Sequence, residues 1–268
     1  MMRSIPDSFD PPTVAAIDGR LDAIVRDEHV AMPLAIESGS RAWGFASPDS
    51  DYDCRFLFVR RRRDYLTLWP RRDVIETPLD GLLDVNGWDV AKAMRLIVKG
   101  NAVAIEWLRS PIVYRGDPAF RDALLAFADA HAPLPLVRRH YLHLGMQQWK
   151  RAEADGEVAI KRLFYILRPA AVLRWTRHHP GATPPMHFPT LVAGGDPPAH
   201  VAAIIADLIA RKAETHELGQ APMPAEITAF ARAEYDIAEA EPKGLVDLSA
   251  YVAADAAFLE MLERFAPN

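Results

Sequence analysis

The sequence predicts an α+β protein: a small mixed β-sheet flanked by helices, followed by an all-α half. Two observations point there. Strand-like and helix-like segments alternate up to about residue 115, and beyond it strand signals almost vanish. The 268 residues are half hydrophobic, enough for one large core or two packed ones. A catalytic unit over residues 1–115 and a helical unit over 116–268 are therefore expected, joined near Tyr114 to Asp117.

The elements follow in order. Pro11 and Pro12 open a segment in which Val14, Ile17, Leu21, Ile24 and Val25 recur at helical spacing. MPLAIES reads as a short strand ending at Gly39, and SRAWGFA as one or two helical turns. DYDCRFLFV is a second strand, with Tyr52, Cys54, Phe56 and Phe58 on one face and Asp51, Asp53, Arg55 and Leu57 on the other. DGLLDVNG is a third, placing Asp84 between Leu83 and Val85. Asp89 suits an N-cap for VAKAMRLIVKG, which breaks near Gly100 and Asn101 before a second helix, AVAIEWL. Helical windows then fall near 118–129, 134–153, 157–178, 198–218, 223–240 and 247–265, separated by joints such as HHPGATPPMHFP and AGGDPP. Pro169 should break or kink the third of these.

The chemistry gathers in ESGSRAWGFASPDSDYDCRFLFV, Glu37 to Val59. Asp51 and Asp53 point the same way, and a third acid from a neighbouring strand, Asp84, would complete an oxygen-rich cage for hard divalent cations. Asp89 is the competitor for that third place. Gly39 and Ser40, turning into a helix, offer N–H groups and a hydroxyl to a phosphate. Together these features describe a site where metal ions hold a triphosphate and promote in-line attack on one phosphoryl group. The rival reading is structural: burying Asp53 in an apolar strand demands a counter-charge, and Arg41 or Arg55 could supply it without any metal.

On the later helix, Lys161, Tyr165 and Arg168 stand at i, i+4 and i+7, one face that could hold a triphosphate and stack a base. RRRRDYLTLWPRR, Arg60 to Arg72, concentrates six arginines beside Tyr65 and Trp69 and suits either RNA contact or a solvated connection. The net charge of -5 argues against general nucleic-acid coating. A single cysteine, Cys54, excludes an internal disulfide framework, and no apolar run reaches signal-peptide or membrane-span length. A soluble cytoplasmic protein is expected, without membrane contact. No Ser-His-Asp, Gly-x-Ser-x-Gly or Walker pattern is visible.

GSRAWGFASPDSDYD resembles the signature of the DNA polymerase β nucleotidyltransferase superfamily, a Gly-Ser followed about ten residues later by Asp-x-Asp. With DVNGWDVAKAMRLIVKGNAVAIEWLRSPIVY, and KRLFYILRPAAVLRW followed by PPMHF, the chain is similar over residues 35–190 to RlaP-type nucleotidyltransferases, a family associated with RNA repair. The resemblance implies a helical second domain closing over the nucleotide. It matches Asp51 and Asp53 to the metal-binding pair, Asp84 to the third acid, and Gly39 and Ser40 to the phosphate turn; Arg41 would reach the leaving pyrophosphate. The expected reaction is transfer of a nucleoside monophosphate from a nucleoside triphosphate to an acceptor hydroxyl, with two magnesium or manganese ions. An RNA 3′ end, a small molecule and a protein all stay open as acceptors. A nucleotide-sensing module without turnover is the alternative from another class.

Overall fold

A computed structural model describes residues 2–155, 158–214, 220–221, 223–245 and 247–268. A three-residue strand, β1 (Met2–Ser4), precedes α1 (Pro11–Glu28). That helix starts at Asp10, whose carboxylate accepts the Thr13 N–H at 3.0 Å, with proline in its first turn where no amide hydrogen is needed. Then come β2 (Ala31–Glu37), the short α2 (Gly39–Trp43), β3 (Tyr52–Val59), β4 (Val74–Glu76) and β5 (Leu83–Asp89). Two helices, α3 (Val90–Val98) and α4 (Ala102–Leu108), lead to the last strand of the main sheet, β6 (Val113–Gly116).

The sheet runs β1-β6-β2-β3-β5-β4, with β3 and β5 parallel and every other pair antiparallel. Alternation along β3 sorts the side chains as expected. Tyr52, Cys54, Phe56 and Phe58 join Ile17, Leu21 and Ile24 of α1 in one buried layer. Each of those α1 side chains contributes about 1.5–3 kcal/mol by leaving water. Leu57 and Val59, with Leu34 and Ile36 of β2, face the other way, into a cluster continuous with the helical half.

That half comprises α5 (Pro118–His131), α6 (Leu134–Asp155), β7 (Val158–Ala159), α7 (Ile160–His178), α8 (Phe188–Gly195), α9 (Ala199–Glu214), β8 (Gln220–Ala221), α10 (Ala225–Ala240) and α11 (Ser249–Phe265). Helix α7 is the hub, packed on α6, α8 and α10. Helices α5 and α11 instead lie against α3, on the sheet side. Among the described residues, no helix is long and apolar enough to cross a membrane.

Three features differ from the sequence reading. Strands β1, β4 and β6 are only three or four residues long, too short to show an alternating pattern, and exist because neighbouring strands pair with them. The expected joint HHPGATPPMHFP runs into a helix, α8, with Pro189 in its first turn. Helix α7 also continues through Pro169 to His178, since packing on three sides outweighs the one missing N–H.

Candidate active site

The parallel register of β3 and β5 places Asp53 directly beside Asp84 and Phe58 beside Asp89. Asp89 therefore stands five residues farther along, about 17 Å from the Asp53 position. There it caps α3, accepting the Ala91 N–H at 2.8 Å and the Tyr65 hydroxyl at 3.0 Å. Asp51 lies exposed just before β3 begins. The two competitors for the third acid are thus separated by geometry: Asp84 adjoins Asp53, and Asp89 does not.

A cation already stands between the paired acids. Arg55, two residues after Asp53 on the same face, sends one guanidinium nitrogen to Asp53 Oδ1 at 3.0 Å and to Asp84 Oδ2 at 2.7 Å. Its other terminal nitrogen donates to the carbonyls of Asp84 and Cys54 at 2.8 and 3.1 Å. Arg41, the other candidate counter-charge, does something else. Its nitrogens donate to the carbonyls of Asp51 at 3.1 Å and Ser50 at 2.6 Å, and its guanidinium lies 3.9 Å over the Tyr52 ring. Arg41 therefore fastens the loop that delivers Asp51, through two of its three guanidinium nitrogens.

Gly39 opens α2 at φ +60, a left-handed conformation natural to glycine. A Cβ there would fall 2.0 Å from Asp53 Oδ2, so only glycine lets the turn approach the carboxylate. Ser38 N–H donates to the Asp53 carbonyl at 2.8 Å, locking the turn to the strand. Ser40 follows in the first turn of α2.

These residues fit a hard divalent cation in donor type, carboxylate oxygens from two adjacent strands. The fit stops short of a closed cage: among the described residues, no three carboxylates or imidazoles converge as metal ligands.

From the helical half, α7 brings Tyr165 to the acids. Burial, followed by the charges of Asp53 and Asp51, pushes its phenol pKa up, and its ring meets Trp43 edge-on at 5.9 Å. Arg168 is placed differently from the expectation. It is buried, donates to Glu106 Oε1 at 2.8 Å and the Met186 carbonyl at 3.0 Å, and lies 4.6 Å from the Trp43 ring centre. Glu106 is itself buried and also accepts the Tyr141 hydroxyl at 2.6 Å, so it needs a cation, and Arg168 is that cation. The guanidinium ties α7 to α4 instead of facing a triphosphate. Lys161 falls in α7, with its side chain outside the described residues.

One residue escaped the sequence reading. Glu37, fully buried at the end of β2, accepts the Asp53 N–H at 2.8 Å and the Tyr114 hydroxyl at 2.5 Å. An acid at a strand end reads as solvated. The only signal was its parity with Ala35, which places it on the face that packs against α1. Burial pushes its carboxyl up to about 8 against the opposing hydrogen bonds from Tyr114 and the Asp53 N–H.

Because the unfolded chain ionises Glu37 near 4.5, the folded state holds the extra proton between there and about 8. The resulting stability is full below the lower value and lost as pH rises through the upper one. Glutamine keeps both hydrogen bonds, its oxygen accepting from Asp53 and its amide donating to Tyr114. Thermal midpoints followed across that pH range should therefore fall less for Glu37→Gln than for wild type. Parallel curves would mean that Glu37 is already ionised in the folded protein.

A Gly-Ser turn pressed against adjacent strand acids is the arrangement the nucleotidyltransferase resemblance implies, and the family match makes the chain a nucleotidyltransferase. The chain belongs to the RlaP family, described as the RNA repair pathway DNA polymerase beta family, whose model matches residues 14–260. It is 38% identical over 199 residues to the uncharacterized protein YcgL of Bacillus subtilis (strain 168), covering 74% of this chain and 76% of that one. Among solved structures it is similar to a nucleotidyltransferase-like protein from Exiguobacterium sibiricum 255-15, at 13% identity and a TM-score of 0.33, over 92% of this chain and 80% of that one.

Proposed function

We propose that this protein transfers a nucleoside monophosphate from a nucleoside triphosphate to an acceptor hydroxyl, releasing pyrophosphate, and that the acceptor is an RNA 3′ end. The observation that carries the reading is the adjacency of Asp53 and Asp84 across a parallel register, with Gly39 held against Asp53. Asp51, Asp53 and Asp84 would hold two magnesium or manganese ions, which when bound acidify the acceptor hydroxyl and neutralise charge on the transferred phosphoryl.

The chain's own residues supply the rest. Amides at Gly39 and Ser40 receive a phosphate oxygen, and Arg41 keeps the Asp51 loop in place. Tyr165, brought by the 116–268 unit to the acids of the 1–115 unit, offers a face for base or ribose. Lys161 is the cation on α7 assigned to the phosphates. The acceptor oxygen bonds to the α-phosphorus as the bond to the bridging oxygen of pyrophosphate breaks, and the hydroxyl proton passes to Asp84. The lone, buried Cys54 suits a reducing cytoplasm.

A second reading has one observation in its favour. Arg55 bonds both acids, so the site is electrostatically balanced without metal, as a nucleotide-sensing module would need. Pyrophosphate release separates the two. The protein, given magnesium, each ribonucleoside triphosphate in turn and an RNA with a free 3′ hydroxyl, should release pyrophosphate and extend the RNA, and a metal chelator should abolish both. Triphosphate binding without pyrophosphate release would overturn the RNA acceptor and leave the sensing module or an acceptor other than RNA.

A further inference from the structure

The connection between β3 and β4, residues 60–73, serves none of the chemistry above. It leaves β3 at the end remote from the acids, since Arg60 is seven residues beyond Asp53, about 23 Å along the strand. Six arginines stand in it against Asp64 and Asp73, in a chain whose net charge is -5. Its tip is apolar and bare. Leu66, Leu68 and Trp69 are 86%, 91% and 85% exposed, a concentration of apolar surface that folding alone would have buried.

The tip is nonetheless built. Thr67 Oγ1 donates to the Trp69 carbonyl at 2.7 Å and accepts the Trp69 N–H at 3.0 Å, clamping the turn that presents the indole. Tyr65 anchors the base: its hydroxyl donates to Asp89 and accepts the Arg60 N–H, each at 3.0 Å, and its ring packs edge-on against Phe258 of α11. Beside this anchor lies a cavity of about 470 Å³ lined by Arg60, Arg71, Arg72, Arg95, Tyr65 and Phe258. The charges lining it are largely matched: Arg71 pairs with Asp64, Arg95 and Lys92 with Asp73, Arg72 with Glu76 and Arg60 with Glu28, while Asp89 caps α3. Arg62 and Arg63, exposed next to the tip, have no carboxylate partner among the described residues.

We propose that this loop and its cavity form a docking site for single-stranded RNA, separate from the acids and independent of the transfer reaction. Guanidinium groups on both sides of a bare aromatic tip match a strand whose phosphates are anionic and whose bases are unstacked. The cavity has the volume that small ligands occupy, enough for one nucleotide, and Arg62 and Arg63 beside the tip are the cations left for the strand's phosphates. An anionic membrane is the other surface that arginine, leucine and tryptophan together suit. A recessed, arginine-lined cavity behind the tip is suited to a nucleotide more than to a bilayer, which offers a flat face.

The test is fluorescence anisotropy of a labelled single-stranded RNA, roughly 12 nucleotides long so as to span one such groove, without metal or triphosphate. Wild type and Asp53→Asn should bind alike. Trp69→Ala should weaken binding about 10-fold through lost stacking. Arg62→Glu with Arg63→Glu should weaken it by at least about 10-fold and flatten the salt dependence by roughly 1.4 in log–log slope. All three side chains are exposed, so thermal midpoints should stay within about 2 °C of wild type. RNA bound equally by wild type and the loop variants, or not at all, would overturn the assignment. Binding lost only in Asp53→Asn would leave RNA at the acids alone, sinking the loop and sparing the transferase. Phosphatidylserine vesicles retained where RNA is not would make the tip a membrane contact.

Discussion

Asp53→Asn is expected to reduce nucleotide transfer by at least about 10³-fold, roughly 4 kcal/mol of transition-state stabilisation, while the protein stays folded. Asparagine keeps the shape of the side chain and an oxygen for Arg55, but not the charge that would hold a divalent ion. The strand should not move, because its backbone is held from elsewhere: Glu37 accepts the Asp53 N–H and Ser38 donates to its carbonyl. Asp84→Asn should behave likewise, given its place beside Asp53. Asp89→Asn is the informative contrast. Asparagine keeps an oxygen for the Ala91 N–H and caps a helix as well as aspartate, so α3 should stay capped, and the change does not reach the reacting atoms. Turnover numbers and thermal midpoints for the three variants would decide the matter. A rate lost in Asp89→Asn and kept in Asp84→Asn would reverse the assignment of the third acid.

Much of this site could be read from local spacing because its pieces are local. The parity that sets Asp51, Asp53 and Arg55 on one face is a property of one strand, and Gly39 with Ser40 a property of one turn. The pairing of Asp53 with Asp84 follows once β3 and β5 are parallel, but that register is set by thirty residues of intervening chain. Glu37 was invisible for the same reason. Its partners Tyr114 and the Asp53 amide are distant in sequence, and a carboxyl at a strand end carries no mark of burial. Arg168 shows a different dependence on distant partners. Its spacing from Tyr165 puts both on one side of α7, but the longer side chain answers to a buried acid on α4 that the helix alone cannot reveal. Of the fold, the long helices and the three central strands were legible from periodicity. The short strands β1, β4 and β6 were not, since three or four residues pair only when a neighbour is already in place.

The role of Arg55 leads to the second large effect. Replacing it with leucine leaves Asp53 and Asp84 side by side with no cation between them, and strips donors from the carbonyls of Cys54 and Asp84. Breaking a buried ion pair from one side costs about 3–5 kcal/mol. Here the two acid side chains are 27% and 36% exposed, so water screens part of the repulsion and about 2–3 kcal/mol is the reasonable expectation. For a chain of this length that lowers the metal-free thermal midpoint by roughly 5–10 °C. Magnesium should return much of the loss in Arg55→Leu and raise wild type far less, because an ion that binds only the folded state stabilises most where it relieves most. Adding Asp53→Asn to Arg55→Leu should also restore stability, since one of the two facing charges is then gone, and the double variant should lose less than the two single losses together. Differential scanning calorimetry of the four proteins with and without magnesium reads all of this at once. An Arg55→Leu protein that melts with wild type in a chelator would show that the guanidinium balances nothing. One that melts early and gains nothing from magnesium, while Asp53→Asn rescues it, would mark Arg55 as the permanent counter-ion of an acid pair that does not take metal, and would move the site to the sensing module.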